Sequence, residues 1–150
     1  MEVIIRKANS ADVEVIHKLI CELAVYEKAE NHVKTTPEEL LRDGFGASPV
    51  FECIVAEAKN EVVGFALFYT AYSTWKGKTL YLEDFLVTES LRGNGIGKLL
   101  FEEVIREAKR RGVRRMAWQV LEWNERAINF YKKYNTVLDS EWINGRFYWE

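Results

Sequence analysis

The chain reads as an α/β protein with a mixed, mostly antiparallel sheet of six to seven strands and helices on both faces. Three observations carry that reading. Three β-rich runs separated by short polar turns form an antiparallel meander. A glycine-rich loop then joins the third run to a long amphipathic helix, and the next strand arrives through that helix as a crossover, which makes it parallel to the strand before the loop.

The elements follow in order. Val3 to Lys7 is a short first strand. Ser10 or Asn9 caps a helix in which Ile16, Leu19, Ile20 and Leu23 recur at i, i+3, i+4, i+7, running to about Tyr26. Thr36-Pro37-Glu38-Glu39 starts a second helix, with Thr36 as cap, Pro37 at the first helical position and Glu39 completing a capping box; Gly44 stops it. The meander occupies residues 51–57, 62–72 and 79–87, divided by Lys59-Asn60-Glu61 and Trp75-Lys76-Gly77-Lys78. The glycine-loop helix shows Ile96, Leu100, Phe101, Val104, Ile105 and Ala108 on a broad apolar face and ends at Gly112. Residues 115–120 form the crossover strand, Asn124 caps a fourth helix that runs to Tyr134, and residues 136–139 and 145–149 supply a closing hairpin. The order is βααβββαβαββ.

A chain of 150 residues suits one domain, here residues 1–150, able to bury about two-thirds of its unfolded surface. Its 48% hydrophobic and 29% charged residues are ordinary for a globular protein, and a net charge of −2 makes no case for nucleic acid or an anionic membrane as partner. The cluster Arg106, Lys109, Arg110, Arg111, Arg114 and Arg115 is read as a cationic helix C-terminus favoured by the dipole. Cys21 and Cys53 lack the spacing of a zinc site or a disulfide framework, and His17 and His32 stand alone as surface or capping residues, so no metal is expected. The start Met1-Glu2-Val3-Ile4-Ile5-Arg6 has neither the basic residues nor the apolar run of a signal peptide, which leads to the expectation of a cytoplasmic protein.

The chemistry begins at Arg92-Gly93-Asn94-Gly95-Ile96-Gly97-Lys98. Three alternating glycines before a helix let an anion approach the backbone, and the unpaired N–H groups and dipole of the helix attract phosphate oxygens. A P-loop would need glycine at Arg92 and Ser or Thr at Leu99; a dinucleotide fingerprint would need glycine at Lys98, or glycine or alanine at Leu100. Neither fits. Just before the loop, Glu83 and Asp84 interrupt an apolar strand, and simple alternation sends one of them to the covered side. An inward carboxylate there is either a structural charge or the general base of a site for a cationic amine, acting directly or through water. Which acid faces the cleft stays open, because a bulge shifts the alternation by one.

The pattern Arg-Gly-x-Gly-x-Gly resembles the pyrophosphate loop of the GNAT family of N-acetyltransferases, and Asn124-Glu125-Arg126-Ala127-Ile128-Asn129-Phe130-Tyr131 resembles that family's Asn-x-x-Ala-x-x-Phe-Tyr signature. The position four residues after Tyr131, where the family usually has glycine, holds Asn135, the residue that next best tolerates the left-handed conformation. The resemblance implies a GNAT-type fold with a splayed parallel strand pair and acetyl-coenzyme A as cosubstrate. The backbone of Phe85, Leu86 and Val87 would hold the pantetheine arm, and the loop from Arg92 through Gly93, Asn94, Gly95, Ile96, Gly97 and Lys98 would hold the pyrophosphate. Asn124 and Ala127 would contact the cosubstrate, and Tyr131 would face the thioester sulfur, where the departing thiolate needs a donor.

A narrower likeness, to the diamine (spermidine/spermine) and thialysine acetyltransferases, rests on Leu23-Ala24-x-Tyr26-Glu27, Asp43-Gly44-Phe45-Gly46, Val63-Gly64-Phe65-Ala66, Leu80-Tyr81-Leu82-Glu83-Asp84-Phe85 and Glu122-Trp123-Asn124-Glu125. It implies that Tyr26, Glu27, Glu83 and Asp84 line the amine site, with Glu83 and Tyr131 catalytic, in a homodimer. The expected reaction is direct transfer of acetyl to a primary amine of a small polycation. The other readings are a lysine-like amino acid or protein amine as acceptor, and a non-catalytic coenzyme A-binding module.

Overall fold

A computed structural model describes residues 1–149, which fall into two compact units, Met1–Gln119 and the remainder from Val120. The first unit holds a five-stranded sheet in the order β1-β2-β3-β4-β5, formed by β1 (Val3–Lys7), β2 (Glu52–Ala58), β3 (Glu61–Ser73), β4 (Gly77–Val87) and β5 (Arg115–Ala117). All neighbours are antiparallel except β4 and β5. The parallel pair is splayed: its ladder joins Thr79–Tyr81 to Arg115–Ala117 and stops, six residues short of the end of β4 at Val87.

Helices α1 (Val13–Tyr26) and α2 (Pro37–Phe45) cover one face, and α3 (Ile96–Arg110) covers the other. Pleat alternation explains the division. Val55, Phe65 and Leu86 point to the side where Ile16, Leu19, Leu23 and Leu40 pack, whereas a side chain at Gly64, one residue before Phe65, would meet Leu100 of α3. Leu100, Phe101 and Val104 are almost wholly buried on that second face.

The local signals form the expected ends. Asn9 accepts from the Ala11 N–H and shares a capping box with Asp12, although it caps a 3-10 turn, Ser10–Asp12, that leads into α1. Arg6 grips Asp12 through two hydrogen bonds of 2.8 and 3.0 Å, which holds the Asp12 carboxyl below the usual range despite burial. Thr36 accepts from the Glu39 N–H with Pro37 at the helix start. Half of the cationic cluster at the end of α3 is paired with acids: Arg106 with Glu103, Arg110 with Glu103 and Glu107, and Arg111 with Glu52 and Glu107.

The second unit contains α4 (Glu125–Lys132), capped by Asn124 and two residues shorter than expected. The hairpin expected at 136–139 and 145–149 is not formed, so the sheet has five strands rather than six or seven. The reason is physical. Val137, Ile143, Phe147 and Trp149 remain exposed, and an isolated hairpin without a third strand or a covering helix is marginal in water. The crossover strand likewise ends at Ala117 instead of residue 120. Among the described residues no helix is long and apolar enough to cross a membrane.

One close approach tests the sheet–helix packing. A Cβ on Gly64 would sit 2.8 Å from the Leu86 carbonyl oxygen and 3.1 Å from a Leu100 methyl. Gly64→Ala is therefore expected to lower stability by about 1–3 kcal/mol, as overpacking does, measured by chemical denaturation.

Candidate active site

The site is built on an irregularity in β4. Its register against β3 runs Tyr81 to Tyr69 and Leu82 to Phe68, then jumps to Asp84 opposite Leu67, Phe85 opposite Ala66 and Leu86 opposite Phe65. Glu83 is the extra residue, a β-bulge. Counting faces from Phe65, which lies under α1, places Leu67 and Tyr69 on the same side, and with them Tyr81, Asp84 and Leu86. Without the bulge Asp84 would point toward α3. Glu83, although exposed, also reaches this face, because its Oε1 accepts a hydrogen bond of 3.1 Å from the Tyr69 hydroxyl. Simple alternation would have sent only one acid to the α1 side; the bulge sends both.

A third acid joins them from the helix. Glu27 is the residue at the end of α1, partly buried, and burial pushes its carboxyl up. Asp84 is pushed up to about 7, first by burial and then by the charges of Glu83 and Glu27. The phenols respond in the same sense. Tyr69 is pushed up to about 12 by burial and by Glu83, and Tyr81 rises through burial and the charges of Glu83 and Asp84.

The glycine loop lies just beyond β4. Gly93 and Gly95 adopt φ of +86° and +79°, and nothing lies within 4 Å of where a Cβ would stand on either, so the loop's concave side is open. Gly97 sits against Phe85 and Val87 at van der Waals distance. Gly95 is the N-cap of α3, and no side chain caps the amides that follow, which leaves the helix start able to accept phosphate oxygens. Ile96 is buried, and the Asn94 side chain donates to the Leu91 carbonyl at 3.0 Å. Lys98 projects outward, loosely paired with Glu102 at 3.9 Å.

Arg92 points inward rather than toward the open side of the loop. Its Nε donates to the Val87 carbonyl at 3.0 Å, its guanidinium lies 3.6 Å from Glu22 and 4.9 Å above the Tyr26 ring. Glu22 also accepts from the Thr88 hydroxyl at 3.0 Å and the Glu89 N–H at 2.9 Å. Tyr26 is thus gathered with the loop, while Glu27 is gathered with Glu83 and Asp84. Leu86 is a core side chain and Phe85 packs on Phe101 with ring centroids 5.7 Å apart, so these residues and Val87 have only backbone to offer a ligand on the open side of β4.

In the second unit, Asn124, Ala127 and Tyr131 follow one another along one side of α4, spaced i, i+3 and i+7. Asn124 accepts from the Ala127 N–H at 3.2 Å, and the Tyr131 ring meets Phe130 edge-on at 5.6 Å. A cavity of about 360 Å³ opens elsewhere in the first unit, lined in part by Phe45, Phe51, Phe68, Glu103 and Arg110, and shares no lining residue with the acids or the glycine loop. No cluster of ligating side chains suited to a metal occurs among the described residues.

A splayed parallel pair in a mixed sheet, with a glycine loop feeding the helix beyond it, is the arrangement that the GNAT resemblance implies. The model of the Acetyltransferase (GNAT) family matches residues 16–135, and the chain belongs to that family as an N-acetyltransferase. It is 44% identical over 138 residues to a thialysine N-epsilon-acetyltransferase of Bos taurus, covering 87% of this chain and 81% of the relative. It is 40% identical over 134 residues to a human spermidine/spermine N(1)-acetyltransferase-like protein, covering 85% of this chain but 19% of that much longer one. In fold it is similar to an aminoglycoside N-acetyltransferase crystallised with CoA, with a TM-score of 0.78, 21% identity, and 97% and 95% of the two chains covered.

Sequence reasoning missed Tyr69 and Glu22. Tyr69 was legible only through the strand register that puts it opposite Tyr81, and Glu22 only through its place one helical turn before Tyr26. Glu22→Ala removes the acceptor for two donors and the partner of Arg92. It is expected to cost about 1 kcal/mol and to speed hydrogen exchange at the Glu89 amide, read by NMR.

Proposed function

We propose that the chain transfers acetyl from acetyl-coenzyme A to a primary amine of a small polycationic acceptor, a diamine or polyamine, by direct attack in a ternary complex. The observation that carries this is the convergence of Glu27, Glu83 and Asp84 on one face beside an open glycine loop. A polycation needs carboxylates to hold its remote ammonium groups and one group to take the proton of the attacking nitrogen. On this reading Tyr26, Glu27, Glu83 and Asp84 form the amine site and the Glu83–Asp84 pair takes the proton. Because the two acids interact, they titrate as a pair.

For the acetyl donor, the backbone of Phe85, Leu86 and Val87 faces the gap where the β4–β5 ladder has ended. Gly93 through Lys98, with the uncapped start of α3, holds the pyrophosphate, and Arg92 braces that loop from behind. Asn124 and Ala127 are assigned to the cosubstrate, and Tyr131 donates to the sulfur that leaves as thiolate. Direct attack is favoured over a covalent enzyme intermediate in part because Cys53 is buried and its thiol is pushed up to about 12, which leaves it no thiolate.

The match to the family model crosses both units, which supports treating the whole chain as a single acetyltransferase domain. The exposed Trp142, Ile143, Phe147 and Trp149 support a homodimer in which that segment is covered. A second reading, an acceptor amine on a lysine-like amino acid such as thialysine, is favoured by the name of the 44% identical relative.

Release of free thiol from acetyl-coenzyme A across an amine panel tests both readings. Diamines and polyamines are expected to react fastest; preference for the amino acid supports the second reading, and silence with every amine overturns both. With the best amine, kcat/KM should rise with pH. Asp84, raised to about 7, is protonated and unable to accept a proton below that value and becomes available above it, well under the pKa of about 10.4 of a free alkylamine. A profile flat from mildly acidic to alkaline pH overturns the assignment. Tyr131→Phe should lower kcat roughly 10²-fold, as loss of a positioned proton donor does, and an unchanged rate leaves Tyr131 a packing residue.

A further inference from the structure

We infer that Tyr69 is a positioning residue for the amine site, holding the Glu83 carboxylate on the α1 face through its hydroxyl. This rests on the amine-acetylation reading above. The need for such a group follows from the bulge. As the extra residue of β4, Glu83 has no cross-strand partner on β3 to fix its direction, and its side chain is exposed. The Tyr69 hydroxyl supplies the missing constraint, donating to Glu83 Oε1 at 3.1 Å, while the Tyr69 ring is itself set by Tyr81, with centroids 5.4 Å apart.

The charged and titratable groups that bear on Glu83 are Tyr69 from β3, Tyr81 and Asp84 from β4 and, through its effect on Asp84, Glu27 from α1. Two neighbouring carboxylates repel, so without help each raises the other, and a donor aimed at one of them favours the ionised form of that one. Tyr69 can play this part at any ordinary pH, because burial and Glu83 hold its own proton on. Asp84 is the more buried member of the pair, and its carboxyl is pushed up to about 7.

The test is Tyr69→Phe, which keeps the ring against Tyr81 and removes only the donor. Carbon-13 NMR of side-chain carboxyls in the free protein, with the Glu83 signal assigned by Glu83→Gln, reads the effect without any turnover. The Glu83 midpoint is expected to rise by about half a pH unit, since loss of a donor to a carboxylate raises its pKa. Tyr81→Phe, which takes a hydroxyl from the same ring pair, is expected to move it less. In steady state, KM for the amine should rise several-fold and the acidic limb of kcat/KM should move upward, with KM for acetyl-coenzyme A unchanged. An unmoved Glu83 midpoint in Tyr69→Phe overturns the inference, as does an equal shift in Tyr81→Phe. A moved midpoint in a protein that acetylates no amine upholds the hold of Tyr69 on Glu83 and overturns the acetylation reading instead.

Discussion

One surplus residue in β4 organises the acid patch of this protein. Up to Leu82 the strand keeps step with β3; after Glu83 it is out of step by one, and every later side chain changes sides. That shift puts Asp84 under the end of α1, keeps Leu86 in the core with Phe65, and leaves Phe85 and Val87 to meet the glycine loop on the other face. Cancelling the bulge would send Asp84 toward the apolar side of α3 and pull Leu86 out of the core. The carboxylates and the hydrophobic packing therefore enforce the same irregular register.

Helix α1 carries the consequences of that register to the cofactor side. Over six residues the helix and its C-cap present Glu22 to the strand end and 3-10 turn before the loop, Tyr26 to the Arg92 guanidinium, and Glu27 to the acids of β4. The same short length of helix thus touches both the segment assigned to the acetyl donor and the patch assigned to the acceptor. Arg92 belongs to this arrangement: its interactions with Val87, Glu22 and Tyr26 stiffen the approach to Gly93, while the open side of the loop is lined by backbone.

What the sequence disclosed and what it withheld divide along the range of the interactions involved. The caps at Asn9, Thr36 and Asn124, the glycines with positive φ and the apolar stripes of α1 and α3 depend on neighbours within a turn or so, and all were legible. So were the acids, as residues out of place in an apolar strand. The bulge has no local mark, since Leu82-Glu83-Asp84-Phe85 contains no glycine; the GNAT resemblance implies a bulge in this strand, and only pairing with β3 fixes it at Glu83. Tyr69 reaches Glu83 across 14 residues and Glu22 reaches Glu89 across 67, so neither contact has a local signature. The closing hairpin failed for the same reason: residues 136–139 and 145–149 carry strand-like composition, but a strand needs a partner edge, and composition does not provide one.

The raised Asp84 carboxyl has a thermodynamic corollary for ligand capture. With its titration centred near 7, the free protein in neutral solution is a mixture of molecules with and without that proton. A cation arriving at the patch favours the ionised form, so capture expels a fraction of a proton into the medium. The heat of binding then includes the ionisation enthalpy of whatever buffer receives that proton, and the apparent affinity tightens as the solution becomes more alkaline. The site exchanges one positive charge for another, and calorimetry in two buffers would count the exchange directly.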